Sequence, residues 1–300
     1  MTTDLRLALT GISGILVTPY GSDGEINPAR QEAIVDRAVI AGVHVLVANG
    51  NTGEFYALTI DEAETMVHSC AEHVSGRVPL LAGVGRGVRD ACRLARSSRQ
   101  AGASALMVHQ PPDPFCAPRG LVDYVRAVCD AADGLPVVLY LRNDAIGIKA
   151  IRDLCALPSV IGVKWATPNP LKLAEAISAT DPGIVWVGGL AEVWAPAFYA
   201  VGARGFTSGL INLWPQRSVA IHAALEAGDY RKANRLIAGM RAFEEIRAEE
   251  LNGANVTGVK AALAALGHDC GATRPPSAWP LSDAQETALR AFIASNEIRF

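Results

Sequence analysis

The sequence has little that would mark it for nucleic acid, membrane or metal. Its 27 Lys+Arg nearly balance 30 Asp+Glu, a formal charge of -3, so neither a polyanion nor an anionic bilayer is an indicated partner. Arg86 to Arg99 is basic but spaced as a solvated helix face. No apolar run approaches the roughly 18 residues that span a bilayer, and Met1-Thr2-Thr3-Asp4 does not open a secretory leader. The six cysteines are scattered without a C-x-x-C pair, and the histidines lack ligand spacing. Neither a structural metal nor a disulfide framework is predicted, and a reducing cytoplasm is the expected setting. Only 19% of residues are charged while 50% are hydrophobic, which excludes global disorder and fits a large core.

What is present is alternation. Eight short β-rich runs (12–18, 43–49, 79–84, 105–109, 137–141, 160–164, 184–188 and 205–208) are separated by helical patterns, one unit every 20 to 35 residues. That rhythm predicts an α/β fold, a (β/α)8 TIM barrel over residues 1–228, with an open doubly wound sheet as the competing arrangement. Ala41-Gly42, Ala101-Gly102 and Val201-Gly202 read as helix stops, Pro28 and Pro118 as helix openings, and Thr59 before Asp61-Glu62 as a cap. Residues 229–300 predict a three-helix extension packed on the barrel, with helices at 229–250, 256–266 and 282–295.

Chemistry in such a barrel gathers at the carboxyl ends of the strands. The sixth run, Ile161-Gly162-Val163-Lys164-Trp165, ends in a lysine. Strand alternation would place Gly162 and Lys164 on one face and Ile161, Val163 and Trp165 on the other. A strand-end lysine ordinarily carries its charge to solvent. Placed in an apolar pocket it loses hydration, its pKa falls, and the free amine can attack a ketone. Tyr140, ending the fifth run, is either a core phenol or a proton shuttle for that amine. Arg142 shares its parity and either grips a carboxylate or lies in solvent. Asn49-Gly50-Asn51-Thr52-Gly53-Glu54 is a simple turn or a cradle whose N–H groups hold a carboxylate. Gly188-Gly189-Leu190, Thr207-Ser208-Gly209 and Asn212 would shape the far wall. His109 ends the fourth run with no nucleophile placed to use it. Gly83-Val84-Gly85-Arg86-Gly87 is not G-x-G-x-x-G and lacks the acidic partner of a dinucleotide site.

Thr18-Pro19, Gly50 through Glu54, Tyr140 and Gly162-Val163-Lys164, in that order at successive strand ends, resemble the dihydrodipicolinate synthase/N-acetylneuraminate lyase superfamily over essentially the whole chain. The resemblance implies a metal-free, cofactor-free lyase, commonly a homotetramer, with a covalent lysine Schiff base to a 2-oxo acid. By carry-over Lys164 is that lysine and Tyr140 the acid/base, with Thr52 and Gly53 receiving the carboxylate. Thr18, Asn51, Arg142, Gly189, Ser208 and Asn212 become further substrate-binding candidates. Asp144 and Ala145 stand where synthases carry a semialdehyde-binding arginine, and Pro112-Asp113 replaces their tyrosine pair. Gly53-Glu54-Phe55, Tyr140-x-Arg142, Gly188-Gly189-Leu190, Ser208 through Pro215 and Val259-Lys260-Ala261 resemble the 5-dehydro-4-deoxyglucarate dehydratase branch better. The expected reaction is dehydration and decarboxylation of that sugar acid to 2,5-dioxopentanoate. A pyruvate-releasing aldolase, a dihydrodipicolinate synthase paralogue and a non-catalytic 2-oxo acid sensor are the alternatives.

Overall fold

The computed structural model describes residues 4–300. A short helix, α1 (Leu5–Leu9), precedes eight strands: β1 (Ile12–Ile15), β2 (Val45–Ala48), β3 (Leu80–Val84), β4 (Ala105–His109), β5 (Val137–Leu141), β6 (Val160–Trp165), β7 (Val185–Gly188) and β8 (Phe206–Ser208). Every pairing is parallel, and β8 returns to β1 through Ser13 opposite Thr207, so the sheet closes. The helices between strands are α2 (Glu32–Ala41), α3 (Ile60–Val74), α4 (Val88–Gln100), α5 (Pro118–Ala132), α6 (Gly147–Cys155), α7 (Pro170–Ser178) and α8 (Ala191–Ala200). After β8 come α9 (Pro215–Glu226), α10 (Tyr230–Ala238), α11 (Arg241–Asn252), α12 (Asn255–Ala265) and α13 (Asp283–Ser295). The predicted (β/α)8 barrel and its helical tail are both present.

The local signals act as expected. Gly42, Gly102 and Gly202 take positive φ where their helices stop, and Thr59 with Glu62 closes a reciprocal cap on α3. Pro28 differs: it opens a turn of 3-10 helix over Pro28–Gln31, and the α-helix begins at Glu32. The tail also differs in detail. The helix predicted over 229–250 is two, broken at Gly239–Met240.

Alternation sorts the side chains into two cores. Val163, Trp165 and Phe206 face the helices. Ile15, Val45, Val47, Leu81, Met107, Val138, Tyr140 and Val187 fill the barrel, which Ala8 and Leu9 of α1 plug from below. The predicted parity of β6 fails at one residue. Val137 pairs with Val160 but Val138 with Gly162, so Ile161 is an inserted residue and packs in the inner cluster, not beside Val163 and Trp165. Gly162 faces inward, but its missing Cβ makes room for the strand and floor. A Cβ there would lie 2.9 Å from the Val185 carbonyl oxygen and 3.7 Å from Leu9 Cδ1.

Candidate active site

Lys164 sits one residue short of the end of β6, 5% exposed, with Nζ 3.9 Å from the centre of the Tyr140 ring. Burial strips water from the ammonium and the nearby Arg142 cation repels it, bringing its pKa down to about 7. Such a lysine presents a free amine near neutrality, where an exposed one would be almost wholly protonated. Tyr140 is driven the other way, up to about 12, chiefly by burial. Its hydroxyl oxygen accepts a hydrogen bond from Asn51 Nδ2 at 3.0 Å. An amide N–H only donates, so the phenol keeps its own proton for a group in the cavity. His109 lies behind Tyr140, stacked on Phe55 at 4.5 Å and 3.0 Å from the Asn49 carbonyl oxygen. Full burial, then the Lys164 cation, lowers its pKa to about 3, so it is a neutral packing group.

The cavity around Lys164 holds about 410 Å³, room for a small sugar acid. Six of the candidates line it: Lys164, Tyr140, Thr52, Asn51, Arg142 and Gly189. Four expected substrate contacts lie outside the lining, each for a definite reason. Thr18 Oγ1 is bound to the Gly53 carbonyl oxygen at 2.7 Å, and the Gly53 N–H to the Gly50 carbonyl oxygen, so this pair shapes the turn beneath Thr52. Asn212 bridges the Ile15 and Gly209 carbonyls and the Val17 N–H, tying β1 to the turn after β8. Ser208 points away from the barrel axis, its hydroxyl on Glu192 Oε1 at 2.6 Å and Ser218 Oγ at 3.0 Å. Its neighbours Thr207 and Gly209 line the cavity instead. Phe206, two residues earlier, faces the helices and fixes that parity.

Several contributors lie outside the candidate residues. Gln110 Oε1 receives the Arg142 and Asn143 N–H groups at 2.8 and 2.9 Å, holding the turn that presents Arg142. Trp194 of α8 and Glu244, Arg247 and Asn255 of the tail close the far end. The tail also anchors the β2 turn. Lys260 Nζ lies 2.6 Å from Glu54 Oε1, both side chains at most 1% exposed, and Glu54 Oε2 receives the Arg274 N–H at 2.9 Å. Gly53-Glu54-Phe55 and Val259-Lys260-Ala261, far apart in the chain, therefore meet in one buried ion pair.

A closed barrel holding a buried amine against a phenol, beside the Asn51–Gly53 turn, fits a Schiff-base lyase. The model of the dihydrodipicolinate synthetase family matches residues 8–296, and the chain belongs to that family. It is similar to the probable 5-dehydro-4-deoxyglucarate dehydratase 1 of Streptomyces coelicolor, 35% identical over 291 residues, 93% of this chain and 92% of that protein. It is 31% identical over 274 residues to the probable 5-dehydro-4-deoxyglucarate dehydratase of Rhizobium rhizogenes, covering 89% of each chain. Among solved structures, the dihydrodipicolinate synthase of Bacillus clausii superposes with a TM-score of 0.94 at 36% identity, over 98% of this chain and 99% of that one. Among the described residues no helix is long and apolar enough to cross a membrane, and no three His, Cys, Asp or Glu side chains converge as a metal site.

If Lys164 is the amine that forms the imine, its pKa of about 7 makes single-turnover imine formation rise with pH and level off above about 8, because deprotonation frees the amine. A rate flat from about pH 5.5 to 8.5, measured by stopped flow, would contradict that role.

Proposed function

We propose that this lyase uses Lys164 to form a Schiff base with a 2-oxo sugar acid and then dehydrates and decarboxylates it, with 5-dehydro-4-deoxyglucarate as substrate and 2,5-dioxopentanoate as product. One observation carries the reading: a buried lysine with its pKa at about 7, against Tyr140, at the base of a cavity whose mouth presents Arg142. The names of the relatives supply the substrate. The same amine chemistry underlies the synthase reading, but Asp144 and Ala145 in place of the expected arginine speak against it.

The neutral amine attacks the ketone carbon, and the resulting carbinolamine expels its hydroxyl as water after accepting the Tyr140 proton. The phenolate left behind is stabilised by Asn51 Nδ2. Thr52 and the adjoining turn hold the carboxylate next to the imine. The iminium acidifies the neighbouring carbon, whose proton passes to the Tyr140 phenolate as the enamine forms. Electron flow from the enamine expels the β-hydroxyl, which takes the proton back from Tyr140 and leaves as a second water, and loss of carbon dioxide follows. Formation of the imine and its later hydrolysis cancel, so the net change is one water and one carbon dioxide released. No metal or organic cofactor enters these steps. A homotetramer is carried forward from the family resemblance.

Tyr140→Phe is expected to lower kcat by roughly 10²–10⁴-fold, the usual contribution of a positioned acid/base, with KM little changed. An unaltered kcat would remove the phenol from the mechanism. The reaction itself is tested by incubating 5-dehydro-4-deoxyglucarate with the enzyme and resolving products by mass spectrometry. Equal release of 2,5-dioxopentanoate and carbon dioxide is expected; pyruvate and an aldehyde would instead establish the aldolase.

A further inference from the structure

The far end of the cavity is built by residues that the Schiff-base chemistry does not use. α11 lays the buried Arg247 across the turn after β8, so closely that a Cβ on Gly209 would stand 2.5 Å from its Nη2. Arg247 lines the cavity together with Glu244, Asn252 and Asn255. The chain reaches this arrangement through an unusual backbone. Glu250, Leu251 and Asn252 take φ of 52°, 57° and 68°, three successive left-handed residues without a glycine. The reversal brings Asn252 and Asn255 back over the same cavity as Arg247. Backbone of this kind persists where surrounding structure holds it, often at ligand sites.

A guanidinium has five N–H donors. Nε and one Nη2 proton go to Asn255 Oδ1, at 3.0 and 2.6 Å, and one Nη1 proton goes to Glu244 Oε1. One donor remains on each of Nη1 and Nη2. Glu244 Oε2 takes no protein donor among the described residues. Donors and an acceptor thus stand together, with the arginine's charge already balanced by its carboxylate neighbour. Glu192, fully buried under Ser208 and Ser218, adds no positive charge behind them. A carboxylate arriving here would meet the Glu244 charge. A hydroxyl, which donates and accepts at once, satisfies both partners.

We propose that Arg247 and Glu244, held by Asn255, form a hydroxyl-recognition subsite that selects 2-oxo acids carrying hydroxyl groups on the carbons between the ketone and the far end of the chain. The inference rests on Lys164 marking the reacting end. Arg247 and Glu244 contact the substrate; Asn255 is a positioning residue.

The test compares wild type with Arg247→Lys, which keeps the charge but loses the fork, and Gly209→Ala, which displaces the guanidinium without removing it. Each is assayed by borohydride trapping of pyruvate on Lys164, by inhibition with 2-oxoadipate, which has no hydroxyl, and by kcat/KM for 5-dehydro-4-deoxyglucarate. Both variants should trap pyruvate and bind 2-oxoadipate within about twofold of wild type, while kcat/KM for the hydroxylated acid falls roughly 10–100-fold, the loss of one or two hydrogen bonds to charged groups. Equal losses on all three compounds, or no loss on the hydroxylated one, overturn the subsite. Wild type that traps no 2-oxo acid overturns the Schiff-base reading before any substitution is made, so the two failures are told apart.

Discussion

Lys164→Met should abolish turnover, by at least about 10⁴-fold in kcat/KM, and at the same time raise the melting temperature at neutral pH. The first effect follows because among the described residues no other amine lines the cavity to form the imine. The second is a linkage consequence of the lowered pKa. The unfolded chain holds the Lys164 proton up to its ordinary value of 10.5, whereas the native state releases it near 7. Between those values the unfolded state binds more protons, so native stability rises with pH, and the penalty for burying the amine is full below about 7. Methionine fills a similar volume without a charge to desolvate, and each kcal/mol recovered should raise Tm by about 2–4 °C. Steady-state assays and calorimetry at pH 7 check both parts. Turnover within tenfold of wild type would refute the catalytic role, and a lower Tm would refute the claim that burial of this amine is destabilising.

Breaking the Glu54–Lys260 pair should have the largest effect on stability. Glu54→Gln or Lys260→Met leaves one buried charge without its partner, which costs about 3–5 kcal/mol. Lys260 would be left with the Ala272 carbonyl oxygen at 3.2 Å and the Tyr20 ring 4.0 Å from its ammonium, too little to replace a carboxylate. Removing both charges together should recover more than half of that loss, since the remaining groups can pack without a desolvated ion. Because Glu54 directly follows the Asn51–Gly53 turn, each single variant should also raise KM by displacing Thr52. Denaturant unfolding of the two single variants and the double variant tests this. A double variant no better than the worse single would show that the pair's ionic character is not what matters.

The barrel was legible because two periods alternate along the chain and because helix stops and caps fall between them. Lys164, Tyr140 and Arg142 could be placed by parity at strand ends, and Asn51 and Thr52 by the turn that carries them. Ile161 departs from the expected parity because a single inserted residue shifts register, and nothing in an apolar run marks which residue it is. Ser208 departs from the expected wall because it shares the helix-facing side of β8 with Phe206, which leaves Thr207 facing the cavity. Gly239 could have signalled the broken tail helix. Arg247 and Asn255 had no local signal, since Arg247 lies inside the helix expected over 229–250 and Asn255 is turned back to the cavity by the left-handed residues Glu250, Leu251 and Asn252, none of them a glycine.

The central claim is the covalent intermediate on Lys164, and borohydride reduction during turnover, followed by peptide mass spectrometry, tests it most directly. The peptide containing Lys164 should gain the mass of a reduced 2-oxo acid adduct as activity is lost, and Lys164→Met should gain none. Sustained turnover in borohydride with an unmodified Lys164, or an adduct on a different lysine, would contradict it.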